Sequence, residues 1–332
     1  MTLAESAASY LRIYLDPFAA FLERPDVTDI YVNAPGELWV EALGGLIVRH
    51  DAPQVTEAHL WRLARQIAAV SNQGISREHP LLAATLPTGA RVQIIAPPAT
   101  RGPLAMAIRK HVVADLSLDR FAAAGAFACA SADAEAGDPG SEMEESYRNQ
   151  DWTAFLSAAV KSRKTIVVSG GTSTGKTTFV NALINEIGSD ERLVLIEDTP
   201  ELRCRHANSV GLVAARGNGG EARVDTEDLL IASLRLRPDR IILGEVRGPE
   251  AFTFLRAVNT GHPGSLTTIH AERAEGVVEQ MALLVLASGS RLSRDEIARN
   301  ISNAVDVFVH LERVDGRRLV TEIRWPKQER PH

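Results

Sequence analysis

In the second half of the chain, short continuous apolar runs alternate with longer segments that have helical spacing. One helical segment begins after Gly248-Pro249 and ends before Gly261, and Asp315-Gly316 lies between alternating apolar positions that predict a hairpin. Apolar runs without alternation are typical of parallel strands covered on both faces. We therefore predict an α/β domain over residues 151–332. Its strand candidates are Thr165–Ser169, Leu193–Glu197, Arg240–Gly244 and Ser265–Ile269.

The first 110 residues have a different pattern, with short strand candidates around one clear helix. Thr56 is a suitable helix N-cap, and Leu60, Leu63 and Ile67 follow it on one helix face. This combination predicts a smaller α+β domain over residues 1–110. The strand candidates are Ile30–Val32, Leu38–Val40, Arg91–Ile95 and Ala105–Arg109.

Residues 128–150, between these two predicted domains, are small, polar and acidic. Six acidic residues and no basic residue lie between Asp133 and Glu145. Such a composition does not provide enough apolar surface for a core. We therefore predict a linker region over residues 111–150.

Composition narrows the class of protein. The 332 residues are 45 % hydrophobic and 23 % charged, which suits two soluble domains, and the net charge of -6 argues against sequence-specific nucleic-acid binding. Cys129 and Cys204 have no metal-ligand spacing, so a reducing cytoplasm is the simplest setting. The chain does not begin like a signal peptide, and no segment has the roughly 20 apolar residues of a membrane span. We expect a cytoplasmic protein whose membrane contact is peripheral.

A phosphate-loop pattern follows the first of these strand candidates: Gly170, four residues, then Gly175-Lys176-Thr177. Glycines let main-chain N–H groups converge on an anion, and the following helix N-terminus adds partial positive charge. We expect Lys176 to reach the β and γ phosphates of ATP, and the Thr177 hydroxyl to ligate Mg²⁺. A chance glycine-rich turn is the alternative, although a strand and a helix flank the loop. The predicted nucleotide-binding residues here are Gly170, Gly171, Thr172, Ser173, Thr174, Gly175, Lys176, Thr177 and Thr178.

Two acidic motifs follow later strand candidates. Glu245 ends the run RIILGE at a carboxyl strand end, where ligands bind in such folds, so we predict that it orients or deprotonates water. The run LVLIEDTPE supplies Glu197, Asp198 and Glu201. Such carboxylates hold the water shell of Mg²⁺ or the attacking water, and Glu201 is the preferred candidate. The alternatives are a solvent-facing glutamate at 245 and a helix or turn cap at Asp198.

Histidines and arginines complete the candidate set. His262 and His270 flank the last strand candidate, and the pair is suited to sensing the γ phosphate or coupling it to a neighbouring subunit, although a lone histidine is more often structural. Arg235, Arg237 and Arg240 lie in LRLRPDR. They form either surface ion pairs or contacts to phosphate charge across an interface, and Arg237 is the preferred candidate.

The four motifs, in this order over residues 165–271, resemble the secretion ATPase superfamily, the motors of type II secretion, type IV pili and type IV secretion. RLRPDRIILGEVRG and GHPGSLTTIHA are most similar to the VirB/TrbB traffic ATPases of conjugation and effector secretion. DPFAAFLERPDVTDIYVNAPGELWVE and LPTGARVQIIAPPA are similar to the N-terminal domain of that family. The tetracysteine cluster of many type II secretion motors is absent from the sequence.

This resemblance implies a RecA-like P-loop NTPase domain, with nucleotide held between the two domains. It also implies a homo-hexamer at the cytoplasmic face of the inner membrane, beside inner-membrane components of a type IV secretion system. Arg91 and Arg109 match N-terminal arginines that approach the phosphates in the family, with salt bridges as the alternative. The expected function is Mg²⁺-dependent ATP hydrolysis that powers substrate translocation or pilus assembly. A nucleic-acid translocase and a non-hydrolysing nucleotide-gated scaffold are the rival functions.

Overall fold

The computed structural model describes six stretches of the chain, and the described residues form two compact units. Residues 3–110 contribute to the first unit, and residues 117–214 and 225–326 to the second. Each unit has its own sheet and its own buried apolar side chains. None of the helices described combines the length and apolar composition that a membrane span requires. The described stretches are 3–43, 46–100, 102–110, 117–132, 142–214 and 224–326.

The first unit packs helices against an antiparallel sheet. In the described residues its elements are α1 (Leu3–Leu22), β1 (Val27–Val32), β2 (Gly36–Ala42), β3 (Ile47–Ala52), α2 (Glu57–Val70), β4 (Leu81–Thr85), β5 (Arg91–Ile95) and β6 (Ala105–Arg109). The strand order is β3-β2-β1-β6-β5-β4. The Thr56 side chain caps α2 by accepting a hydrogen bond from the His59 N–H at 3.2 Å. The predicted α+β domain is confirmed.

The second unit contains the remaining described helices and strands. The helices are α3 (Leu118–Ala123), α4 (Glu142–Arg148), α5 (Trp152–Lys161), α6 (Lys176–Ile184), α7 (Thr226–Ser233), α8 (Glu250–Thr260), α9 (Gly276–Ala287) and α10 (Arg294–Ala304). The strands are β7 (Ser131–Ala132), β8 (Ile166–Gly170), β9 (Leu193–Glu197), β10 (Ser209–Val213), β11 (Arg240–Val246), β12 (Leu266–His270), β13 (Val307–Val314) and β14 (Arg317–Arg324).

These strands form one sheet in the order β10-β9-β11-β12-β8-β13-β14-β7. Every neighbouring pair from β10 to β13 is parallel. Ile166 and Val168 of β8 pack in one buried cluster, and Val167 between them packs in another. Because both faces of the sheet are covered, its strands are continuously apolar. The predicted α/β fold is confirmed.

The predicted hairpin joins β13 to β14. Asp315 and Gly316 have φ angles of 49° and 77°, as in a two-residue type I′ turn. Since β13 runs parallel to β8, this turn lies at the carboxyl edge of the parallel strands.

The described part of the region predicted to be a linker belongs to the second unit, where it forms α3, β7 and α4. Tyr147 of α4 is buried, its hydroxyl donates to the Ile323 carbonyl oxygen at 2.9 Å, and its ring contacts Trp325. These residues are therefore packed against the second unit, where a linker was expected. The sequence did not indicate this, because the glutamates of α4 outnumber its apolar residues. Residues 111–116 and 133–141 lie outside the described part.

Candidate active site

Several predicted site residues lie at one edge of the second sheet. β8 ends at Gly170 and β12 ends at His270, and these two residues pair in register. On the neighbouring strands, β9 ends at Glu197, and Glu245 is the next-to-last residue of β11. Carboxyl ends of parallel strands are where ligands bind in open α/β sheets. Strand direction and order therefore bring separate sequence motifs to one place.

The phosphate loop leaves β8 at Gly170 and enters α6 at Lys176. Gly170 has a φ of 154°, and a Cβ there would lie 2.4 Å from the Leu311 carbonyl oxygen, so a larger residue does not fit. The Thr174 hydroxyl donates to the Gly171 carbonyl oxygen at 3.0 Å. These contacts fix the main chain just before a helix N-terminus, which is a favourable environment for phosphate.

Lys176 lies over the loop and is influenced by both acidic motifs. Its Nζ donates to the carbonyl oxygens of Gly170 and Gly171, each at 2.9 Å. Burial lowers the pKa of Lys176, and the charges of Glu245 and Glu201 oppose this change. The two glutamates that were predicted to be functional thus act electrostatically on the same amine.

The other loop residues differ in exposure. Thr172 and Ser173 are exposed at the tip of the loop, whereas Thr174 is buried beneath it. Thr177 and Thr178 are half-buried in the first turn of α6. A hydroxyl directly after the phosphate-loop lysine is where a Mg²⁺ ligand is needed.

Glu245 lies at an irregularity of β11. Between Leu243 and Val246, β11 has one residue more than the segment of β12 with which it pairs. Such a β-bulge re-aims side chains and is frequent next to active sites. The Glu245 side chain is 21 % exposed and forms an ion pair with Arg247, whose Nε donates to it at 2.7 Å.

The acidic residues at the end of β9 and just after it have different roles. The Glu197 carboxylate is buried and accepts hydrogen bonds from two successive main-chain N–H groups, the first that of Glu201, both at 2.7 Å. Asp198 accepts a hydrogen bond from the Thr226 hydroxyl at 2.9 Å, at the start of α7. Glu197 and Asp198 therefore shape the turn, whereas Glu201 acts on the charge of Lys176.

The sequence analysis missed Asn181, a buried residue of α6. Its Nδ2 donates to the Glu201 carbonyl oxygen at 3.2 Å, and its Oδ1 accepts from the Arg203 N–H at 2.8 Å. These bonds tie the Glu201 segment to the helix that begins at Lys176. An asparagine inside the apolar run FVNALI was the available signal, because buried polar groups need partners.

Arg247 was also missed as a site residue, and it links the two acidic motifs. It pairs with Glu245, and its guanidinium lies 3.5 Å from the Asp198 carboxylate. Burial alone would lower the pKa of Arg247. The opposing effects of nearby carboxylates, mainly those of Glu245 and Asp198, are together larger, so the pKa of Arg247 is raised above its ordinary value. A Cβ on Gly244 would lie 3.3 Å from the Glu197 Cγ, so this glycine makes room for the neighbouring strand.

His262 and Arg237 are not brought to this edge. They precede β12 and β11, respectively, and so lie near the amino ends of these parallel strands. His262 Nδ1 lies 3.0 Å from the Pro238 carbonyl oxygen and donates to it. Arg240, which begins β11, is fully buried and pairs with Glu191 at 2.6 Å. Arg240 thus forms a structural ion pair. His262 is separated from the phosphate loop by the length of β12.

In the first unit, Arg91 and Arg109 lie opposite each other in register on β5 and β6. Opposite residues of adjacent strands point to the same face of a sheet. The Arg109 Nε also donates to the buried Asp29 carboxylate at 2.8 Å. The salt bridge considered from the sequence is therefore present at Arg109.

Comparison with known sequences identifies the family. A family model described as "Type II/IV secretion system protein" matches residues 141–323. The type IV secretion system protein VirB11 of Bartonella quintana is 37 % identical over 336 residues, which cover 97 % of this chain and 94 % of the relative. The type IV secretion system protein PtlH of Bordetella pertussis is 37 % identical over 323 residues, 93 % of each chain.

Solved structures agree with this result. The crystal structure of the VirB11 ATPase from the Brucella suis type IV secretion system, in complex with sulphate, is 34 % identical with a TM-score of 0.52, and covers 95 % of this chain and 97 % of that one. The pilus retraction motor PilT with bound ADP, at 20 % identity and a TM-score of 0.60 over 95 % of this chain and 82 % of that one, shows the same fold. The RecA-like fold and the resemblance found in the motifs are confirmed. The chain belongs to the type II/IV secretion system protein family, within its traffic ATPases, and is an ATP hydrolase.

Proposed function

We propose that this ATPase is a Mg²⁺-dependent motor that powers type IV secretion, by substrate translocation or pilus assembly. In this proposal it works as a homo-hexamer at the cytoplasmic face of the inner membrane, with peripheral membrane contact and inner-membrane secretion components as partners. The central observation is the convergence of the phosphate loop with Glu245, Glu201 and His270. The names of the VirB11 and PtlH relatives support the assignment to type IV secretion.

The side chains of the site fit Mg²⁺ together with a nucleotide. Thr177 and Glu201 offer oxygen donors, which are the ligands that Mg²⁺ prefers, and Mg²⁺ needs only one or two protein ligands beside phosphate and water. When bound, Mg²⁺ supplies charge neutralisation at the β and γ phosphates.

Hydrolysis in this site follows from the placement of the charges. Water attacks the γ phosphorus, and the bond to the β–γ bridging oxygen breaks, leaving ADP and phosphate. Glu245 orients this water and accepts its proton, while Lys176 neutralises charge on the phosphates. His270 is placed beside Gly170 to sense the γ phosphate.

Residues away from this edge take other roles in the proposal. His262 and Arg237 lie near the opposite edge of the sheet, and we assign them to contacts with a neighbouring subunit. The approach of Arg91 and Arg109 to the phosphates stays a prediction from the family resemblance.

The test combines phosphate release and light scattering on the same purified sample. We expect phosphate release from ATP that stops when EDTA removes Mg²⁺, and a six-subunit mass with a slowly hydrolysed ATP analogue. A monomer mass under all nucleotide conditions would reject the hexamer. Binding without turnover would indicate the nucleotide-gated scaffold, and turnover that depends on added DNA would indicate the translocase.

A further inference from the structure

The hairpin of β13 and β14 lies beside the phosphate loop, on the side away from the acidic motifs. In the strand order, β11 and β9 lie on one side of β8, whereas β13 and β14 lie on the other. The hairpin turn is at the carboxyl edge, because β13 is parallel to β8. Arg318, the second residue of β14, is therefore placed next to the loop.

Arg318 makes direct contact with the loop. Its Nε donates to the Ser173 carbonyl oxygen at 3.2 Å. A Cβ on Gly175 would lie 3.2 Å from the Arg318 Cδ, so the stem of the arginine covers this glycine. Gly175 has a φ of 93° and Ser173 a φ of 62°, which is uncommon for a residue with a side chain. Through Arg318, the hairpin thus contacts a part of the loop whose main chain is constrained.

The charge of Arg318 has no acidic partner in the described part of the chain. Desolvation, and then the charge of Arg313, lower the pKa of Arg318, and no carboxylate raises it. This distinguishes it from Arg247, which is paired with Glu245 at the same edge. A guanidinium group that is held in place and has no carboxylate partner is suited to stack on an aromatic ring.

The direction of the nucleotide follows from the acidic residues. Attack on the γ phosphorus requires the terminal phosphate to face Glu245, on the β11 side of the loop. The nucleoside end then extends towards the other side, where β13 and β14 lie. We propose that Arg318 forms a wall of the nucleoside pocket and stacks on the adenine base of ATP. This inference rests on the proposed orientation of ATP in the site.

The experiment compares a nucleotide with a ligand that has phosphates but no base. The full-length Arg318→Gln variant is titrated with ADP, with a slowly hydrolysed ATP analogue and with inorganic tripolyphosphate, all with Mg²⁺. Arg317→Gln is the matched control, because Arg317 is the adjacent hairpin residue and donates instead to the Ala124 carbonyl oxygen. We expect about fivefold weaker binding of both nucleotides by Arg318→Gln, unchanged tripolyphosphate binding, and no change in the control.

Other outcomes reject the inference in distinguishable ways. If Arg318→Gln weakens tripolyphosphate binding as much as nucleotide binding, Arg318 acts only by supporting the loop. If the variant binds every ligand as tightly as wild type, Arg318 has no role in binding. A wild-type chain that binds no nucleotide would instead reject the proposed function. If melting without ligand shows that Arg318→Gln is unfolded, Arg318→Lys decides the question. Lysine keeps the charge but lacks the planar group, so undiminished nucleotide affinity in that variant would overturn base stacking.

Discussion

Glu245 and Glu197 lie at the carboxyl ends of adjacent strands, yet the same change to glutamine should affect different properties. It should lower turnover at Glu245 and stability at Glu197. Glu245→Gln removes the proposed base but keeps its size. General-base catalysis contributes about 10²- to 10⁴-fold to a rate. At about 1.4 kcal/mol for each tenfold, this is about 3 to 6 kcal/mol of activation free energy. The fold loses little, because the Arg247 partner is 51 % exposed and such ion pairs contribute at most about 1 kcal/mol.

Glu197→Gln should change stability more than turnover. A glutamine side-chain oxygen can still accept the hydrogen bonds that two main-chain N–H groups now donate to Glu197 at 2.7 Å. The glutamine, however, carries no negative charge. Hydrogen bonds to charged groups contribute roughly 1 kcal/mol more than neutral ones, so the free energy of unfolding should fall by about 2 kcal/mol. Because Glu201 is then held less firmly, we expect kcat to decrease by less than about tenfold.

The assay measures phosphate release at saturating Mg·ATP and urea unfolding on the same three samples, wild type and both variants. Glu245→Gln should bind a slowly hydrolysed ATP analogue like wild type, which separates lost chemistry from lost binding. Full steady-state turnover by Glu245→Gln would refute its role as the base. A turnover loss in Glu197→Gln as large as the one expected for Glu245→Gln, at unchanged stability, would transfer that role to Glu197.

Three further changes test the loop and the fold. Lys176→Ala should weaken binding of an ATP analogue by at least about tenfold, since an ionic hydrogen bond to phosphate is lost, and undiminished affinity in a titration would contradict this. Gly170→Ala should lower the free energy of unfolding in urea by more than about 1 kcal/mol, because its Cβ would lie 2.4 Å from a main-chain oxygen; Gly211→Ala, whose Cβ meets nothing within 4 Å, is the control, and equal effects would refute the argument. Arg240→Met leaves Glu191 buried without its main partner and should cost about 3 to 5 kcal/mol. Arg240 holds the pKa of Glu191 below its ordinary value, so this contribution is present above about pH 4.3 and lost at lower pH; equal urea midpoints of wild type and variant at pH 7 would exclude it.

The sheet of the second unit was predictable because its strands are buried on both faces and therefore lack polar alternation. The β13 and β14 hairpin was predictable from Asp315-Gly316, since few residue pairs accept two positive φ angles. By contrast, α4 could not be found from composition. Between its buried residues Met143 and Tyr147 lie Glu144, which is buried and paired with Arg148, and the exposed Glu145. Tyr147 packs on α5 and also on Trp325, which is distant in sequence.

The site was predictable where its functional residues are consecutive in sequence, as in the phosphate loop. It was also predictable where an apolar strand ends at a carboxylate. Asn181 and Arg318 were not predictable in this way. Each acts through hydrogen bonds to main-chain atoms of a loop that is distant in sequence, Asn181 at Glu201 and Arg318 at Ser173. Main-chain partners impose no pattern on the residue types of that loop, so only the fold reveals such contacts.

The two histidines show how strand direction decides which motif residues can act together. His270 ends β12 beside Gly170, whereas His262 precedes the start of the same strand. The five residues Leu266–His270 alone extend about 13 Å, since a strand rises roughly 3.3 Å per residue. Within one subunit, both side chains therefore cannot reach the same phosphate group. If both sense ATP, His262 serves the nucleotide of another copy of the chain, and the proposed homo-hexamer supplies such a copy.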